Sequence, residues 1–186
     1  MKTSENLPPI VRTISVSWTP EEAFRRFTAD FARWWPVHTH SIGGKCVKRI
    51  VFECRVGGRI FEEHQDGRRF QWGEVRTWDP PRSVRFTWHP SRDASTAQDV
   101  ELRFHPEGTG TRLELVSSGW EHWGKGAPRA RRGYDLGWGG VLNTWAGRRT
   151  LGMRVMGGLM AVMAGVQLLR GGRAAAIARA GGELKG

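Results

Sequence analysis

Between Lys48 and Ser118 the sequence is a succession of short runs, each closed by a turn signal. "RIVFECR" and "RIFEEH" flank Gly57-Gly58, and "RFQWGEVRTW" follows Asp66-Gly67. "SVRFTWH" follows Asp79-Pro80-Pro81, while "AQDVELRFH" and "TRLELVSSGW" flank "PEGTG". Short β-like runs broken at hairpin length are incompatible with helices and predict an antiparallel meander of five strands. The longest of the turns, Pro90 to Thr96, is polar and predicted to be mobile. A sheet of this kind needs one face covered, so the flanking segments decide the fold.

Upstream, "IVRTISVS" from Ile10 to Ser17 has period two and reads as a further strand. In "TPEEAFRRF" Thr19 is placed to cap a helix, Pro20 sits where its missing N–H costs nothing, and Glu22 completes a capping box. A helix from Pro20 to about Phe27 follows. Phe31, Trp34 and Trp35 extend the apolar pattern into a second short helix ended by Pro36. Downstream, Tyr134, Trp138, Val141, Leu142 and Trp145 share one face of a long helix. Gly133, Gly137, Gly139, Gly140 and Gly147 interrupt it, each weakening a helix by about 1 kcal/mol relative to alanine. Such a helix has to be held by packing, and its glycines let a sheet or a ligand come close to its backbone.

With 186 residues, the chain has room for one core plus an appendage. We divide it into an N-terminal arm (1–9), a domain (10–149) and a C-terminal apolar and basic extension (150–186), helical and then frayed. The net charge is +11, of which Met1 to Gly119 contribute only +3. Of 29 basic residues 24 are arginine, scattered as on a solvated surface. Aromatic and basic residues do mix in "RRFQWGEVRTW". The β-region is nevertheless almost charge-balanced and lacks an RNP pattern, which argues against nucleic acid. In the extension, Val155 to Leu169 is free of charge, about 22 Å as a helix and short of the roughly 30 Å of a bilayer core. Packing on the domain, a homodimer contact or a membrane surface suits it better than a membrane span. The start "MKTSENLPPI" has no apolar run of signal-peptide type, so the expectation is a cytoplasmic protein with Cys46 and Cys54 reduced and Cys54 buried as a small hydrophobe.

Three groups invite a chemical reading. His38 and His40, two apart on an extended segment, would point the same way, but a metal site needs a third ligand and none stands at a recognisable spacing. Glu62, Glu63 and Glu74 are carboxylates near apolar residues, where burial raises a pKa toward acid–base use. Alternation groups Glu74 with Phe70, Trp72 and Trp78, making it the weak catalytic candidate, though a pair with Arg76 or Arg103 accounts for it as well. No nucleophile elbow, dinucleotide fingerprint or phosphate loop is present. The residues call for no metal and no cofactor.

The order strand, two short helices, antiparallel strands, long C-terminal helix is the α+β helix-grip (START-like) fold, a curved antiparallel sheet around a long C-terminal helix. Six pieces make the resemblance specific: "TPEEAFRRFT", "WW", "RVGGRIFEEHQDG", "WGEVRTWDPPRSVRFTW", "EGTGTRLELVSSGWE" and "GYDLGWGGVLNTW". Together, from about Ile10 to Arg149, they resemble the START-like or SRPBCC superfamily, in the branch similar to the C-terminal domain of the activator of Hsp90 ATPase. The resemblance implies a hydrophobic cavity between sheet and helix that takes lipids, sterols, polyketides or other apolar molecules. The segment after Arg149 is outside the shared pattern. The second domain usual in an Hsp90 activator is not found, which points away from a co-chaperone role.

The leading expectation is therefore a non-enzymatic protein that binds an apolar, aromatic or lipid-like small molecule. Its walls would be Phe31, Trp34 and Trp35, then Trp72, Phe86, Trp88 and Phe104, then Tyr134, Trp138, Leu142 and Trp145, with His38 and His40 at the mouth. Ten tryptophans against one tyrosine suit such a wall, and suit a filled core equally. The alternatives are a chaperone-linked interaction protein and a cyclase- or hydrolase-type enzyme using the same cavity.

Overall fold

The computed structural model describes residues 7–148. The 150–186 extension and its apolar run therefore lie outside the described residues. Seven strands form one antiparallel sheet: β1 (Ile10–Val16), β2 (Val47–Phe52), β3 (Arg59–His64), β4 (Arg69–Asp79), β5 (Ser83–Trp88), β6 (Gln98–Glu107) and β7 (Gly110–Ser118). Their order is β1-β7-β6-β5-β4-β3-β2. Six strands rather than five follow Lys48, because each of the six runs becomes a strand of its own. The meander carries the chain from β2 across to β7, and β1 pairs beyond it. The segment joining β1 to β2 thus spans the open side of the sheet.

That segment is helical for local reasons. In α1 (Pro20–Phe27), Thr19 Oγ1 accepts the Glu22 N–H at 3.3 Å, and Ala23, Phe24 and Phe27 turn inward. The Glu22 carboxylate takes Arg25 and Arg26 rather than closing the expected box. α2 (Phe31–Trp34) stops before Pro36. A further turn, α3 (Val37–His40), forms where an extended segment was expected. Pro36 begins it, its carbonyl accepting from the Thr39 and His40 amides. Residues two apart on a helical turn lie about 200° apart, so His38 and His40 face different ways.

The long helix α4 (Ala127–Trp145) follows a 3₁₀ segment, Trp120–Gly126, and closes the grip. Polar pins hold it along β1: Arg12 pairs with Asp135 at 2.8 Å, and Arg131 and Arg148 donate to the carbonyls of Pro8 and Ser15. Its apolar face, with Trp138, Val141, Leu142 and Trp145 buried, meets the concave sheet as the spacing predicts.

Three register shifts, at Val47/Arg49, Ile60/Phe61 and Val75/Thr77, bend the sheet. At the centre of this bending Gly73 lies against β5, where a Cβ would come within 1.7 Å of the Thr87 carbonyl oxygen. The shifts also break the alternation used to place Glu74. Val75 is fully buried, while Glu74 is about a third exposed and pairs with Arg76 at 2.6 Å. Cys54 differs from expectation too: β2 ends at Phe52, leaving Cys54 exposed in the following turn.

Candidate functional site

The inner face of the sheet is assembled by period two. β5 contributes Val84, Phe86 and Trp88, and β6 contributes Gln98, Val100, Leu102 and Phe104, all buried. Onto these the helices deliver aromatic rings. Trp35 lies 5.3 Å from Trp72 and 5.6 Å from Trp88, and Trp88 lies 5.5 Å from Trp138. The four indoles run from the residue after α2 through β4 and β5 to α4. Toward the other end of α4, Phe104 contacts Trp145, and Trp145 contacts Phe27 and Trp18.

Ten of the thirteen predicted wall and mouth residues thus come together in one core: Phe31, Trp35, Trp72, Phe86, Trp88, Phe104, Trp138, Leu142 and Trp145 buried, with Trp34 packed against them. Tyr134 joins at the start of α4, tilted against Trp120 at 5.5 Å and edge-on to Trp123 at 5.8 Å. Burial pushes its phenol up to about 12. His40 is half-buried beside Trp35, its Nδ1 bonded to Thr39 Oγ1, and burial lowers its pKa. His38 is exposed on the far side of the turn.

What distinguishes this core is its polar atoms. Trp34 Nε1 donates to the Arg26 carbonyl and Trp120 Nε1 to that of Ser117. The Nε1 donors of Trp35, Trp72, Trp138 and Trp145 are buried without a partner among the described residues. Leaving such a donor unpaired costs about 1–3 kcal/mol, and phenylalanine would serve the same packing without that cost.

The sequence reading named Glu62 only as a candidate acid–base carboxylate and missed Gln98 altogether. Glu62, fully buried, accepts the amides of Ile42 and Gly43 at 3.0 and 2.8 Å and pairs with His64 Nε2. It clamps the loop after α3 to the strand. Gln98, 1% exposed, projects inward at the start of β6. The signal for both was the alternation itself, which sets Glu62 and His64 beside Ile60, and Gln98 beside Val100. Neighbouring Glu63 faces the other way and is held at about 2, chiefly by Arg49, against the opposing pull of burial, with Arg69 and Lys48 adding to it. On the surface, Phe24, Trp78, Pro80, Pro81 and Cys54 line an open groove of about 320 Å³.

A family model described as activator of Hsp90 ATPase homolog 1-like protein matches residues 17–144. The chain belongs to this family. Solved structures agree on the fold. The chain is 23% identical to a protein from Mesorhizobium loti, with 74% of this chain and 93% of that one covered at a TM-score of 0.52. It is 18% identical to CalU16 from Micromonospora echinospora, covering 86% and 87% at a TM-score of 0.55. It is 13% identical to the Aha1 dimer from Colwellia psychrerythraea, covering 75% and 97% at a TM-score of 0.52. No curated protein matches the chain. In this activator-like family member the helix-grip fold is compatible with ligand binding or co-chaperone action. No described helix is long and apolar enough to cross a membrane.

Proposed function

We propose that this family member binds a flat, apolar small molecule between its concave sheet and α4. The observation that carries the reading is the set of four buried, unpartnered indole donors on walls made otherwise of aromatic rings. A core built for stability alone satisfies or omits such donors. A ligand that slides between the rings gains their apolar faces and brings acceptors to their edges. The rings are in mutual contact in the structure described, so uptake requires α4 to give way. Its composition suits that: a Cβ at Gly133 or Gly139 would meet nothing within 4 Å among the described residues, so packing within them does not explain these glycines, yet they weaken the helix.

Native mass spectrometry of the protein as purified tests the reading. A bound apolar species that dissociates on activation is the expected result. Protein that is ligand-free as purified and shows no saturable binding across a panel of polycyclic aromatics and fatty acids would overturn it. The family match itself favours a competing reading as a co-chaperone. Concentration-dependent stimulation of a bacterial Hsp90's ATPase by the purified protein supports that one, and a flat response counts against it.

A further inference from the structure

Three of the residues with unpartnered buried polar atoms, Gln98, Trp123 and Trp138, belong to one end of the interior, while Trp145 lies at the other. Gln98 stands directly across from Trp88 in the β5–β6 pairing. Its side chain is buried, and neither Nε2 nor Oε1 completes a hydrogen bond among the described residues. A primary amide has two donors and an acceptor to satisfy, whereas methionine would fill a similar space with none. Tyr134 interacts with this amide without closing a hydrogen bond of full geometry, and it feels the charge of the Arg92 guanidinium. One turn along α4, Trp138 presents an unpartnered Nε1 and lays its ring 5.5 Å from Trp88. Trp123 adds another unpartnered Nε1, with Arg92 stacked 3.7 Å above its ring. Arg92 itself is steadied by Thr96, to which its Nε donates at 3.1 Å.

The chemistry of this group leans to donors, with the Gln98 Oε1 carbonyl its one unpartnered acceptor among the described residues. It offers indole N–H, amide N–H, a phenol and a guanidinium, and none of its members is a carboxylate. Donors beside a cation at one end of an aromatic core match an acceptor oxygen. We infer that this end of the interior receives an oxygen of the bound molecule, so that the ligand is an aromatic ketone or carboxylate seated with its oxygen toward Gln98 and its rings on Trp88 and Trp138. The inference rests on reading the interior as a ligand site and names the class of molecule that site takes.

Calorimetric titration of the full chain with three probes of one size tests it: 2-acetylnaphthalene, its hydrocarbon isostere 2-isopropylnaphthalene, and 2-naphthoate. The ketone or the carboxylate is expected to bind at least tenfold more tightly than the hydrocarbon. A lead for the carboxylate assigns the contact to Arg92, and a lead for the ketone assigns it to the neutral donors. In Gln98→Met the preference should shrink to less than threefold while hydrocarbon affinity stays within twofold, and the melting temperature of the ligand-free protein should rise. Tyr134→Phe gives a second reading of the same preference should Gln98→Met fail to fold. Equal affinity for all three probes overturns the inference and leaves the pocket standing. Absence of binding by all three overturns both. An unchanged preference in Gln98→Met, with a lowered melting temperature, would make the amide structural and sink the inference.

Discussion

Gly43 has no room for a side chain: a Cβ there would stand 2.2 Å from His64 Nε2. The imidazole lies over the glycine because Glu62 draws both the ring and the loop amides toward itself. Gly43→Ala therefore has to displace the ring or the loop, and a loss of about 1–3 kcal/mol in urea unfolding is expected. A stability equal to that of the unsubstituted protein would show that the clamp yields freely. On the opposite face of the same strand, Glu63 titrates near 2 in the fold, against an ordinary 4.5. A carboxylate depressed in this way contributes stability that is fully present above the ordinary value and is lost as pH falls toward 2. Unfolding midpoints measured from pH 5 to pH 2 should fall, and Glu63→Gln should flatten that slope. A parallel slope in the variant would assign the acid sensitivity to other carboxylates.

At the level of elements, α4 combines a strong apolar face with weak intrinsic helicity, and the two are separable. The apolar face was legible from the spacing of Tyr134, Trp138, Val141, Leu142 and Trp145. What the glycines do was not, since only the fold shows that positions 133 and 139 have no neighbour within 4 Å of a side chain among the described residues. Gly133→Ala and Gly139→Ala should each raise stability by up to about 1 kcal/mol, read from chemical unfolding. If α4 gives way on uptake, the double variant should also take up ligand more slowly; unaltered uptake kinetics would place the opening elsewhere. α3 shows the opposite limit. "VHTH" after a proline carries no strong local preference, and the carbonyl of Pro36 settled it as a turn of helix. With that, the case for two histidines pointing the same way disappears.

On the scale of the whole molecule, the sheet divides the protein into two chemistries. Its convex side is lined by ion pairs such as Arg103 with Glu101 and Glu114, and Arg85 with Asp99. These are half-exposed and individually worth only about 0–1 kcal/mol, so they solvate the face more than they stabilise it. The concave side holds the aromatic core, with Trp and Phe rings in contact from α1 to α4. The family match over residues 17–144 coincides with this grip and stops short of the basic extension. Ligand retention measured on the full chain is therefore expected to follow substitutions at Trp35, Trp88 and Trp138. Retention unaffected by all three would remove the interior from consideration.

Periodicity is a local property, and by itself the sequence determined what periodicity can: the strands and their turns, α1 with its Thr19 cap, the inward face of α4, and membership in a helix-grip family. Partner satisfaction and register are non-local. Only the tertiary structure decided that Glu74 turns outward, because bulges within β4 itself, opposite β3 and β5, break an alternation that the sequence alone continues. Only the tertiary structure showed which indoles find a carbonyl and which do not, since the acceptors for Trp34 and Trp120 are backbone atoms positioned by the fold. The same holds for Gln98: alternation points its side chain inward, but that nothing within the described fold completes its hydrogen bonds is a fact of packing.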